Sequence, residues 1–195
     1  MIIQEREDME REIQRLAAEQ CAPVMFGVKP SNLLIIDSGY DPVLMSVVAG
    51  TGLKVRCFYY GGSRQIWFMY HEKMLISYLA DPEILEFMQE YGYTKDMTLG
   101  KVLLHAAQRF REYKKGHAPF PHEMGILLGY LLCDVRGFIE NEGRNYLCTG
   151  YWKVYENEEE ARRIFSMYAR VKEAALQMVR SGLRVQEIRQ CRPAF

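Results

Sequence analysis

The chain has 195 residues, 25 of them Lys or Arg and 25 Asp or Glu, so its formal net charge is zero. It is 49% hydrophobic and 26% charged, a balance that suits a folded protein and excludes a disordered one. With no basic excess it lacks the charge footprint of a general nucleic-acid binder, and no apolar run approaches the ~18–20 residues that span a bilayer.

The length predicts a single globular domain over residues 1–195, large enough to bury a core without staples. The N-terminus, MIIQEREDMEREIQRL, is dense in acids and has neither the basic nor the apolar region of a secretory signal, so a cytoplasmic location is expected. Residues 4–20 predict a charged N-terminal helix. Met9, Ile13 and Leu16 recur at spacings that place them on one stripe, while Glu5, Glu7, Asp8, Glu10 and Glu12 fill the other faces.

The segment CAPVMFGVKPSN follows, broken by Pro23, Gly27 and Pro30, and predicts a shaped loop. Residues 33–36 are a short apolar run. The clearest β signal comes next. Leu53, Val55, Cys57 and Tyr59 alternate with Lys54, Arg56, Phe58 and Tyr60, and Ile66, Phe68 and Tyr70 alternate with Gln65, Trp67 and Met69. Gly61-Gly62-Ser63 between them predicts a hairpin.

Helices dominate the remainder. One is predicted from near Glu72. A second is capped by Asp81 with Pro82 at its first position and stopped by Gly92. A third runs from about Thr98 to Tyr113, with Leu103, Ala106 and Phe110 on its buried face. Pro121 is placed to open a fourth, which carries Gly125 and Gly129 four residues apart on one side. Residues 151–155 predict a strand that joins the hairpin in one sheet. Asn157 with Glu160 resembles a capping box for the last long helix, and Gly182 is placed to end it. The fold class expected is α+β, a small antiparallel-containing sheet packed with several helices.

The stretches PFPHEMGILLGYLLCDVRGFIENEG and GYWKVYENEEEARRIFSMY, with CAPVMFGVKPSNLL and IWFMYHEKMLISYL, resemble an uncharacterised family of about this length from anaerobic Firmicutes. That family is known as a domain of unknown function. The chain departs from its pattern at Leu132 and Cys133, where a proline and an acid are more usual, and at His71, where arginine is expected. The resemblance implies no substrate. It implies an iron or redox setting and a flavodoxin-like redox partner.

Cys21, Cys57, Cys133, Cys148 and Cys191 are widely spaced and form no CxxC, which predicts neither a zinc site nor a disulfide framework. Four constellations remain. Cys21 with Lys29 offers a thiol whose pKa a nearby ammonium would lower, and hence a nucleophile. His122 and Glu123, in the first turn of a helix, offer a base; the competing reading is that they satisfy the free N–H groups of the helix start. Gly125 and Gly129 offer either close packing or a surface for a flat ligand. Tyr151, Lys153 and Tyr155, on one face of a strand, offer an aromatic wall with a cation for an anionic planar ligand. The basic run from Arg109 to His117 reads as a solvated helix end.

Three functions follow from these residues. The first is a cytosolic protein that binds a small molecule or cofactor through Lys29, Glu123, Gly125, Gly129, Tyr151, Lys153 and Tyr155. The second is a thiol-dependent enzyme with Cys21 as nucleophile and His122 as base. The third is an interaction module without catalysis. No motif specifies a cofactor, a metal or an oligomeric state, and there is no phosphate loop, dinucleotide fingerprint or HExxH.

Overall fold

The computed structural model describes residues 3–188. In chain order its elements are α1 (Ile3–Met25), β1 (Ser31–Asp37), α2 (Asp41–Val48), β2 (Lys54–Gly61), β3 (Arg64–Tyr70), α3 (Glu72–Leu79) and α4 (Pro82–Gln89). Then come α5 (Leu99–Lys114), α6 (Met124–Leu127), α7 (Leu132–Glu140), β4 (Cys148–Thr149), β5 (Lys153–Val154), α8 (Glu158–Arg180) and α9 (Val185–Ile188). The strands are antiparallel and the helices outnumber them, so the protein is α+β. The chain forms two compact units. One takes the residues up to Glu72 and those from Tyr168 onward, and the other takes Lys73–Met167.

The first unit is built on the predicted hairpin. β2 and β3 pair antiparallel, with Gly62 at φ 61° in the turn. The register shifts between Cys57 and Tyr59, so the strand bulges at Phe58. Phe58 is fully buried and stacks on Phe68 with ring centres 4.8 Å apart. The third strand is β1, formed around the apolar run at 33–36, and the strand order is β1-β3-β2. Residues 151–155 do not join this sheet, contrary to expectation. β5 is only two residues long and pairs with β4 in a separate two-stranded sheet.

Helix α1 also departs from the sequence reading, since it continues through Pro23 to Met25 instead of giving way to a loop. Cys21, Ala22, Val24 and Met25 are all buried there, and this apolar gain outweighs the hydrogen bond that Pro23 cannot donate. The helix stops at Gly27, whose φ of 69° lets its N–H reach Val24 O while Val28 N–H reaches Pro23 O. This pair of bonds is a Schellman motif. Behind the helix, Ile13, Ala17 and Cys21 pack with Leu34, Ile36, Leu44 and Met69 in one core.

Gln20 fastens α1 to the sheet. Its side-chain amide accepts from Ile35 N–H at 2.9 Å and donates to Ile35 O at 3.2 Å. These are the groups that β1 would offer to a neighbouring strand, so one glutamine occupies the outer edge of the sheet.

In the second unit the local signals act as read. Asp81 caps α4 by accepting from Glu83 N–H and Ile84 N–H, and Thr98 caps α5. The helix predicted from Pro121 is the exception. It breaks into α6 and α7, because Gly129 adopts φ 73° and closes α6 with the same pair of bonds, Gly129 N–H to Ile126 O and Tyr130 N–H to Gly125 O. Gly125 and Gly129 therefore share no continuous helix face. Helix α8 starts as predicted, with Asn157 Oδ1 accepting from Glu160 N–H, and Gly182 ends it. Among the described residues no helix is long and apolar enough to cross a membrane.

The substitution Gln20→Ala removes both bonds to Ile35. It is expected to lower unfolding stability by about 1–2 kcal/mol, read as a shift in the urea midpoint at unchanged slope.

Candidate functional site

A cavity of about 410 Å³ lies within the second unit, walled by the turn before α6, by α7 and by the β4–β5 hairpin. Its rings come from Phe120, His122, Tyr130, Phe138, Tyr151 and Trp152, and its cation from Lys153. The rings contact one another around the wall. Tyr130 and Trp152 stack at 5.0 Å with 27° between planes, and Phe165 meets the Trp152 ring edge-on from behind at 4.6 Å. His122 lies 5.7 Å from both Phe120 and Phe138. Such a wall is mostly apolar and is fixed by its own packing.

Two polar groups shape this concavity. The Lys153 ammonium donates to Gly143 O at 2.7 Å and lies 4.9 Å from the Tyr146 ring centre and 5.7 Å from that of Phe138. Asp134, on α7, is 2% exposed. Its carboxylate accepts from the Trp152 indole N–H at 2.6 Å, from Tyr155 N–H at 2.7 Å and from Glu156 N–H at 3.2 Å. It therefore pins the indole wall and the end of the hairpin to α7.

Four residues singled out from the sequence, His122, Gly125, Tyr151 and Lys153, come together on this cavity. Glu123, Gly129 and Tyr155 do not line it. Glu123 is fully buried in an ion pair with Arg109 and accepts from Tyr93 OH at 3.4 Å. The bond to Glu123 raises the pKa of Arg109, and burial together with the Glu123 charge raises that of Tyr93. His122 and Glu123 precede α6 rather than forming its first turn, and Glu123 makes no side-chain cap bond. A Cβ at Gly125 would stand 2.8 Å from Val135 Cγ2, so that glycine serves close packing of α6 on α7. Tyr155 packs on Gly137 instead, and burial raises its pKa. The expected alternation of residues 151–155 fails because Tyr151 and Trp152 lie in the turn, closed by Gly150 N–H to Trp152 O, and both rings reach the cavity.

Cys21 and Lys29 belong to the other unit, where both are buried. The Cys21 thiol is in a helix, not a loop, and donates to Leu33 O at 3.6 Å. Burial pushes its pKa up to about 12 despite the opposing pull of Lys29. A thiol so placed stays protonated at neutral pH and out of reach of solvent. Lys29 donates to Asn32 Oδ1 at 3.0 Å and lies 5.8 Å from the Tyr168 ring centre. Burial lowers its pKa to about 8.

The sequence reading missed Asp134, Tyr130 and Phe138. The one local signal was an acid, Asp134, in the otherwise apolar stretch from Gly125 to Val135. Cys191 lies outside the described residues. Among the described residues no group of three or more His, Cys, Asp or Glu stands together as a metal ion would require.

Comparison with known families matches residues 17–189 to one described as a protein of unknown function, DUF3793, and the chain belongs to that family. No curated protein and no solved structure gives a significant match.

Two measurements check this geometry. Asp134→Ala strands the three donors and is expected to cost about 3 kcal/mol in denaturant unfolding, with a red shift of Trp152 emission; Asp134→Asn, which keeps an acceptor, loses less. Lys29 gives a pH signature. Its folded pKa of about 8 lies below the ordinary 10.5, so the unfolded chain holds more protons on this group between those values, and its contribution to stability rises with pH. Cys21 acts oppositely, because its thiol ionises from about 9 in the unfolded chain and about 12 in the folded one, and its contribution falls above pH 9. Between pH 7.5 and 9 the stability of the wild type relative to Lys29→Met is therefore expected to increase. Parallel curves for the two proteins would contradict this account.

Proposed function

We propose that this family member binds a small, flat, mostly apolar organic molecule in the cavity of the second unit. The observation that carries the reading is the wall itself. A concavity of about 410 Å³, lined by six rings and holding, among the described residues, one lysine and one buried carboxylate, has the size and chemistry of small-molecule sites.

The thiol-enzyme reading gains nothing from Cys21, which is buried and held protonated. The iron or redox setting and the flavodoxin-like partner rest on the resemblance alone.

A neutral flat fluorophore, 6-propionyl-2-(dimethylamino)naphthalene, tests the reading without involving charge. It is expected to bind saturably and to quench Trp152. Thr149, exposed on β4 and opposite Lys153, lines the cavity, so Thr149→Trp fills the space from a position that tolerates bulk. That variant should keep its melting temperature and lose at least about tenfold in affinity, the effect of ~1.4 kcal/mol. Equal binding by both proteins would refute a site in this cavity.

A further inference from the structure

We infer that the ligand is a monoanionic aromatic acid whose carboxylate is held by Lys153. This rests on the cavity being the binding site. The inference begins with the charge balance of the wall. Lys153 is half-buried beside the rings of Phe138 and Tyr146 and forms no ion pair among the described residues. An ammonium carries three donors, and Gly143 O takes one. The other two have no hydrogen-bond partner among the described residues, and Lys153 lines the cavity, so they and the charge are the groups this proposal gives to a ligand.

The acid of the wall is differently disposed. Asp134 already receives three N–H donors from the hairpin, on both of its oxygens. Its negative charge serves the protein, which leaves Lys153 to select the sign of the ligand's charge. A basic ligand would meet an ammonium with no carboxylate free to balance it.

The rest of the ligand follows from the rings. Tyr130 stacks on Trp152 and Phe165 meets Trp152 edge-on, which holds these rings rigidly beside the cavity and favours an aromatic ring over a branched aliphatic as their neighbour. The kind of anion follows from the donors. Among the described residues no arginine lines the cavity, and the cation is a single point charge rather than a planar fork. Phosphate groups are usually clasped by several donors or by guanidinium, whereas one ammonium suits a carboxylate.

Three naphthalene probes of matched shape separate the possibilities: 2-naphthoate, 2-naphthalenemethanol and 2-naphthylmethylammonium. They are titrated calorimetrically into the full chain and into Lys153→Met and Lys153→Arg. The acid is expected to bind at least about tenfold tighter than the alcohol, as a charge-assisted hydrogen bond gives, and the ammonium weakest. Lys153→Met should bring the ratio of acid to alcohol affinity close to one, and Lys153→Arg should keep the acid preferred. If the alcohol binds as well as the acid, or the preference survives Lys153→Met, the inference is overturned while the cavity reading stands. If none of the three binds, both fall. The wild-type ratio decides the matter even if a variant does not fold.

Discussion

The cavity wall depends on one buried carboxylate. Asp134 lies on α7, while the Trp152 indole and the backbone of Tyr155 and Glu156 come from a hairpin whose ladder is two residue pairs long. Two pairs do not hold a hairpin in water by themselves. The three N–H donors offset the cost of desolvating the acid, and the acid in turn sets where the indole stands. The stack of Tyr130 on Trp152 and the position of Lys153, opposite Thr149 in the same hairpin, follow from that attachment.

Where structure follows from adjacent residues, the sequence was a good guide. Asp81 before Pro82, Asn157 before Glu160 and the stops at Gly92 and Gly182 all act within one turn, and they cap and end the helices as their residue types dictate. The hairpin was equally legible from its alternation. Errors arose where distant burial overrode a local signal. Pro23 marks a break in isolation, yet the core around Cys21 and Met25 draws the helix past it. Gly129 stands at helix-face spacing from Gly125 in the sequence, yet in the fold it is a helix stop. His122 and Lys153 could be nominated because their residue types carry chemistry. Asp134, Tyr130 and Phe138 could not, because they become a wall only when α7 meets the hairpin.

The pair of Cys21 and Lys29 shows how magnitude decides between two opposing effects. On paper a lysine beside a cysteine favours the thiolate. Inside a core the same burial disfavours charge on both, so the thiol keeps its proton while the ammonium releases its own more readily than in water. Proximity to a cation activates a thiol only where water or further dipoles share the desolvation.

The amide of Gln20 has a consequence for association between molecules. A sheet that grows by strand addition needs two open edges on every copy, one to receive and one to offer. Here β1 is one edge and β2 the other, and the polar groups of Ile35 midway along β1 are taken by a side chain of the same molecule. Strand pairing between copies is left with β2 alone. Two copies joined through β2 would present only blocked edges, so polymerisation along this sheet terminates at a pair instead of running on into a fibre.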